Sequence, residues 1–291
     1  MKNFLIIKKN TDSFEKEINK WLNKDSDVID DKTITNHRKG VAKVFYTFKN
    51  MRKILHHEKR KVIIFDESLI FLISLFFTKK SYLWLWNTVE DDFSTQIRLW
   101  IAKKTKRVYT FDKGDCEKYG FEYNSQFFDD DIIESNCVEE YDLYFVGLDK
   151  GRYSTVKEIY DFSIKRNLLP KFNMVKEAGK IYDVHDFLVN DLVKYNDVLD
   201  GISRSKAILD ICKKGQVGMT YRAMEAIFYD KKIVTNNVNY KKLPFYSSDK
   251  IYIIENNKFE GMEDFIKSSS ISYSEDVKKY YRIGSWLHRF G

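Results

Sequence analysis

Only two prolines and twelve glycines occur among 291 residues. So few excludes a collagen-like or Pro/Gly-rich disordered chain. There are three cysteines, Cys116, Cys137 and Cys212. An odd, low number with no metal-type spacing excludes a disulfide framework and a zinc module, and fits a reducing cytoplasm. Long apolar runs are also missing. The longest, residues 69–77, is far short of the roughly 20 residues needed to span a bilayer. The run in MKNFLIIKKN is too short for a signal peptide. No RNA- or DNA-binding signature is present, so nucleic acid is not an expected partner. These absences predict a soluble, cytoplasmic protein.

What is present is a core-forming composition, 43% hydrophobic with 16% aromatic residues, in a length that fits two modest domains. Apolar β-type runs alternate with helical spacing. Residues 3–7 read as a strand, and 14–23 and about 40–57 as helices. Strands follow at 62–65, 82–86 and 107–111, with helices through 77 and at 94–103 between them. This rhythm predicts a parallel sheet covered by helices on both faces. In such sheets ligands sit beyond the carboxyl ends of the strands, where Asp66, Asn87 and Asp112 fall. The acidic stretch at 129–140 is read as the domain boundary. A second series follows, with a strand at 142–146, a turn at 147–152, a helix at about 154–166 and strands at 172–176 and 251–254. Helical spacing over 275–290 closes the chain.

The richest segment opens at Ser203 and reads SRSKAILDICKKGQVGMTYRAMEAIFYDKKIVTNN. A strand at 207–211, a glycine-bearing turn at 215–218, a helix from Thr220 to Tyr229 and a strand at 232–235 make a βαβ unit. Such a turn offers backbone N–H groups and a helix dipole to an anion. Arg222 and Glu225, three apart, share a helix face. A cation and a carboxylate there suit the phosphate and the ribose of a nucleotide.

This segment resembles the donor-site region of small bacterial glycosyltransferases of polysaccharide, capsule and lipopolysaccharide assembly. The resemblance rests on Leu209-Asp210-Ile211, Gln216, Gly218, Thr220, Arg222, Glu225-Ala226, Lys231-Lys232, Thr235 and Asn236 or Asn237. It extends to Trp86-Asn87, to YTFDKGDCEKYGFEYN at 109–124 and to FVGLDKGR at 145–152. It implies an α/β protein of the GT-B type: two Rossmann-like domains, with a C-terminal helix crossing back to the first. The expected divisions are 1–135 for the acceptor domain, 136–274 for the nucleotide-sugar donor domain and 275–291 for the returning helix.

The implied activity is metal-independent transfer of a sugar from a nucleotide-sugar, a substrate rather than a cofactor, to a glycan or polyprenyl-pyrophosphate-linked acceptor. Two alternatives share the basic donor site: a glycerol- or sugar-phosphate transferase of wall polymers, and a non-catalytic nucleotide or glycan-binding module. Gly147, Lys150, Gly151, Arg152, Gln216, Gly218, Thr220, Arg222 and Glu225 are the expected donor residues, with Trp86 and Asn87 on the acceptor side.

An inverting transfer needs a general base. Asp66 is the first candidate, followed by Asp112 and Asp115; the structural alternative for each is a helix N-cap. The Asp129-Asp130-Asp131 run could hold a metal–diphosphate as in the other major glycosyltransferase fold, but it is read as a solvated linker, and no metal site is expected.

Net charge is +7 and unevenly placed: between residues 32 and 61, ten Lys or Arg stand against one Glu. That strip reads either as a solvated face or as a docking site for an anionic membrane or a lipid pyrophosphate. The second reading would place the protein at the inner face of the membrane.

Overall fold

The computed structural model describes residues 2–10, 12–90, 92–129, 137–213, 215–256, 258–269 and 271–291. The chain folds into two compact units, the first of Met1–Ser125 with Ile283–Gly291 and the second of Gln126–Arg282. Residues 130–136, within the acidic stretch read as a boundary, lie outside the described residues.

The first unit runs β1 (Phe4–Lys8), α1 (Ser13–Asp25), β2 (Ser26–Asp30), α2 (Asp31–Thr35), α3 (Gly40–Leu55), β3 (Lys61–Phe65), α4 (Ser68–Ser74), β4 (Ser81–Leu85), α5 (Phe93–Thr105), β5 (Val108–Thr110), α6 (Lys113–Tyr119) and β6 (Glu122–Tyr123). Its sheet is ordered β2-β1-β3-β4-β5-β6, and the strands are parallel throughout. β1 and β4 are buried at every position, as strands covered on both faces must be. One face packs Leu5, Ile7, Val62, Ile64, Leu83 and Leu85 on Met51 and Leu55 of α3, Phe71 of α4 and Ile101 of α5.

The second unit runs β7 (Tyr141–Leu148), α7 (Tyr153–Lys165), β8 (Pro170–Val175), β9 (Leu188–Val189), α8 (Tyr195–Ser203), β10 (Ser205–Asp210), α9 (Tyr221–Phe228), β11 (Lys232–Thr235), β12 (Ile251–Ile253), α10 (Met262–Lys267) and α11 (Glu275–Tyr281). The order is β12-β11-β10-β7-β8-β9, again parallel. Leu143, Phe145, Ala207, Leu209 and Val234 meet Val156, Ile159, Met262 and Ile266 on one face. On the other, α8 approaches Tyr144 closely at Gly201, where a Cβ would stand 2.4 Å from Tyr144 Cε2.

The segment expected as one returning helix is two. α11 ends at Arg282, whose extended backbone (φ −61°, ψ 147°) breaks the helix. α12 (Ile283–His288) belongs to the first unit. There Trp286 packs 5.5 Å from Trp84 and 4.9 Å from Phe290, and Asn124 Nδ2 donates to the Trp286 carbonyl at 3.2 Å.

Both sheets have a switch point where the strand order reverses. It lies between β1 and β3 in the first unit and between β7 and β10 in the second. Crevices beyond the strand ends at such points are where open α/β sheets bind ligands.

Candidate active site

In the second unit the switch point is marked by Arg152. β7 runs on through Gly147 to Leu148, so the expected turn at 147–152 is the shorter 149–152. Lys150 (φ 46°) and Gly151 (φ 79°) both take left-handed backbone there. This reversal brings Arg152 back over the strand ends. Its Nη1 donates to the Ile211 carbonyl at 2.9 Å, its Nε to the Asp149 carbonyl at 3.1 Å, and its Nη2 to the Leu148 carbonyl. One guanidinium therefore joins the carboxyl ends of β7 and β10.

Gly147 keeps that position open: a Cβ there would stand 3.1 Å from Arg152 Nη2. Arg152 is expected to neutralise a pyrophosphate by its charge; three of its N–H groups are held by backbone carbonyls, and its charge stays at the strand ends. Lys150 is the exposed cation of the turn. Burial and the nearby Lys213 and Arg152 charges lower its pKa.

Asp149, absent from the expected site residues, organises the turn. Its Oδ1 accepts from the Arg152 and Tyr153 amides at 2.9 Å each, capping α7, and its Oδ2 accepts from Lys180 Nζ and Tyr182 Oη at 2.9 Å each. Of its pKa influences burial is the largest and opposes ionisation, but the Lys180 and Tyr182 bonds and the Tyr153 amide outweigh it, and the net shift is downward.

The loop after β10 is similarly tied. Asp210 is buried at the strand end and accepts from Thr220 Oγ1 and Tyr240 Oη, both at 2.6 Å. Burial raises its pKa against the pull of those two hydroxyls. Thr220 is the N-cap of α9, accepting from the Ala223 amide at 3.3 Å. Thr220 could either bind a phosphate or cap its helix; its hydroxyl is occupied in capping and in Asp210. Gln216 Nε2 reaches the Gly218 carbonyl at 3.2 Å, shaping the turn. Asn236 Oδ1 accepts from the Cys212 amide at 2.8 Å, and Asn237 Nδ2 donates to the Val217 carbonyl at 3.1 Å. The two asparagines after β11 therefore fix the loop from the neighbouring strand.

Glu225 differs most from expectation. Read as an exposed carboxylate for ribose, it is 0% exposed. It forms an ion pair with Arg222 Nη1, and Tyr195 Oη donates to its Oε1 at 2.9 Å. Burial pushes its pKa up to about 7, against Arg222 and the Tyr195 hydrogen bond. The reason is packing: every residue of α9 from Ala223 to Phe228 is buried, so the helix has no exposed face for a carboxylate to occupy.

In the first unit Asp66 follows β3 with φ 45°, a left-handed conformation that Asp tolerates better than most side chains. Its amide donates to the Trp84 carbonyl at 2.8 Å. Its Oδ1 accepts from the Trp86 amide at 3.0 Å and its Oδ2 from Asn87 Nδ2 at 3.2 Å. The structure thus brings Asp66, Trp86 and Asn87 together. A carboxylate has about four acceptor positions, so two bonds leave capacity for a ligand hydroxyl. Burial raises the Asp66 pKa, partly offset by the Trp86 amide and the Arg98 charge. The half-exposed Trp86 ring, 5.3 Å from Phe65 and 6.0 Å from Phe14, offers a flat apolar face beside it.

Asp112 takes its structural alternative, a helix N-cap, whereas Asp115 lies within α6 and ties a neighbouring loop. Asp112 caps α6, accepting from the Gly114 and Asp115 amides at 2.8 and 3.2 Å. Asp115 accepts from the Val89 amide at 3.0 Å, and burial raises its pKa to about 6. Both are buried and hold loops, so Asp66 stays the first candidate for the base. Among the described residues no cluster of His, Cys, Asp or Glu could hold a metal; Asp130 and Asp131 lie outside the described residues.

No protein-family model and no curated protein matches the chain. Solved structures do. The two parallel six-stranded α/β sheets have the GT-B fold, with the returning C-terminal segment. AviGT4, a glycosyltransferase involved in avilamycin A biosynthesis, is 8% identical, with 99% of this chain and 95% of that one covered at a TM-score of 0.55. TarM is 14% identical over 79% of this chain and 52% of that one, at 0.52. A GtfA/B complex is 10% identical over 87% and 60%, at 0.50. The chain thus spans about half the length of TarM. At these identities the likeness is one of fold.

Proposed function

We propose that this protein is a glycosyltransferase that takes its sugar from a nucleotide-sugar and passes it to a lipid-linked glycan in bacterial surface-polysaccharide synthesis, at the cytoplasmic face of the membrane. The observation that carries the reading is the cationic switch point of the second sheet. There Arg152 joins the ends of β7 and β10, Lys150 and Lys213 stand close enough to affect one another, and the N-terminus of α9 lies beyond a loop fixed by Asn236 and Asn237. Fixed positive charge and a helix dipole suit a nucleotide diphosphate as ligand and leaving group. In the first unit, Asp66 acts as the base that takes the proton of the acceptor hydroxyl, with Trp86 and Asn87 positioning the acceptor sugar.

A thermal-shift screen against UDP, GDP, TDP and CMP tests the donor site. A nucleotide at 100 times its Kd adds about 2.7 kcal/mol of stability; if none of the four raises the melting temperature, the reading fails. Because the donor site offers fixed cations and a helix N-terminus to the leaving diphosphate, the transfer is expected to persist in EDTA, and activity restored only by Mn²⁺ would refute that.

Lys150→Ala refines the assignment. Lys150 carries its own charge to the ligand, whereas Arg152 also supports the fold. A charge-assisted hydrogen bond contributes about 1.5–3 kcal/mol, and an exposed lysine belongs at the lower end. Affinity for the preferred nucleoside diphosphate should fall about tenfold, with the parent nucleoside unaffected. Equal losses for both ligands would show that Lys150 does not meet phosphate.

A further inference from the structure

α3 carries an apolar surface that the first unit leaves uncovered. Thr47, Met51 and Leu55 face the core. On the adjoining face Val41, Val44, Phe45 and Phe48 are 86%, 48%, 63% and 44% exposed. Their i, i+3, i+4, i+7 spacing makes them one stripe. Phe76, just after α4, is 78% exposed and extends the patch, with its ring 6.4 Å from that of Phe48. Phe77 supports Phe48 from beneath at 5.1 Å.

The patch has a charged border of one sign. Arg38, Lys39, Lys49, Arg52 and Lys53 are exposed around it, and Lys79 flanks Phe76. α3 contains no acidic residue at all. Exposed phenylalanines ringed by cations match an anionic lipid surface, with rings entering the acyl boundary while lysine and arginine meet headgroups. A protein partner with a continuous apolar face would leave these cations without partners.

Position gives the surface a use. α3 follows β2 through the short α2, and Lys43 on its first turn pairs with Glu67 at 3.3 Å, the residue after Asp66, at the carboxyl end of β3. The first turns of α3, which carry Val41, Val44 and Phe45, therefore lie at the Asp66 end of the first unit.

We propose that the exposed face of α3, together with Phe76, inserts into an anionic bilayer and sets the Asp66 end of the first unit at the membrane. The purpose of this docking rests on the glycosyltransferase reading above; the docking itself does not. It also changes the meaning of the basic strip: the cations steer and orient, and the phenylalanines anchor.

Co-sedimentation of the full chain with phosphatidylcholine vesicles, with and without 30% phosphatidylglycerol, tests it. Binding to the anionic vesicles is expected. Phe45→Ser with Phe48→Ser should weaken it at least tenfold at both low and physiological salt. Arg38, Lys39, Lys49 and Lys53 changed together to Gln should weaken it mainly at low salt. All six side chains are exposed, so melting temperatures should hold. Phe45→Trp should show a blue-shifted emission on vesicles that brominated acyl chains quench. No binding by the native chain at low salt, or equal binding by the Phe45/Phe48 variant, overturns the proposal. So does self-association in the absence of vesicles that the Phe45/Phe48 variant abolishes, since it would assign the patch to a second copy of the chain. Vesicle binding requires no donor or acceptor, so its outcome is independent of whether any nucleotide stabilises the protein.

Discussion

Asp66→Asn should lower the rate of sugar transfer by about 10²- to 10⁴-fold, the usual contribution of a positioned general base, and leave nucleotide affinity intact. The substitution is mild for the backbone. Asn accommodates the left-handed conformation at φ 45° at least as readily as Asp, and its carbonyl oxygen can still accept from the Trp86 amide. What disappears is basicity. The pH profile carries a second signature. Burial raises the Asp66 pKa, and only the ionised carboxylate can take a proton. Transfer should therefore rise with pH across an acidic limb set above the ordinary Asp value, and the variant should lose that limb. A variant with a rate within threefold of the native protein would return Asp66 to its structural role, that of latching the ends of β3 and β4.

Much of this architecture is legible in the chain. The runs at 62–65, 82–86 and 207–209 are continuously apolar because both faces of each sheet are covered, and they end visibly at Asp66, Asn87 and Asp210. β2 is not legible. SDVID has a single position buried and lies at the sheet edge, so neither period nor apolar run marks it. The split at Arg282 is hidden for a different reason. Apolar residues fall at helical spacing on both sides of it, with Tyr281 buried before and Ile283, Trp286 and Leu287 buried after, so one period runs through two helices.

The site is harder to read than the fold because residue type does not reveal what a side chain bonds to. Arg152 and Thr220 have suitable chemistry for phosphate, yet backbone carbonyls hold the one, and Asp210 with the Ala223 amide holds the other. Asp149 and Asp210 organise both turns and have the same sequence signature as Asp66, an acidic residue at a strand end. Glu225 did carry a warning. It is the sole charge in the run from Ala223 to Phe228, and a helix apolar on all sides is an enclosed one.

That enclosure predicts a large stability effect. Arg222→Met should destabilise the protein by about 3–5 kcal/mol at pH 8, as expected when one partner of a buried ion pair is removed, and by much less at pH 5. The sign follows from Glu225. Its pKa is raised by burial to about 7 from an ordinary 4.5, so between those values the native state holds more protons than the unfolded one. Stability must then fall as pH rises through that window. Without Arg222 the carboxylate keeps, among the described residues, Tyr195 Oη at 2.9 Å, its native pKa climbs further and the window extends upward. The loss therefore grows with pH, and below about pH 4.5 both states are protonated and little of it remains. Urea unfolding at pH 5 and pH 8 measures this directly; an equal loss at both would mean that Glu225 does not titrate in the folded protein. Glu225→Gln completes the comparison, because an amide cannot ionise and should remove the native slope between pH 4.5 and 7. The same variant separates the two roles considered for this residue. If its carboxylate received the ribose hydroxyls, donor affinity would fall tenfold or more. With the carboxylate closed off by Arg222 and Tyr195, affinity should hold while the pH dependence of stability changes.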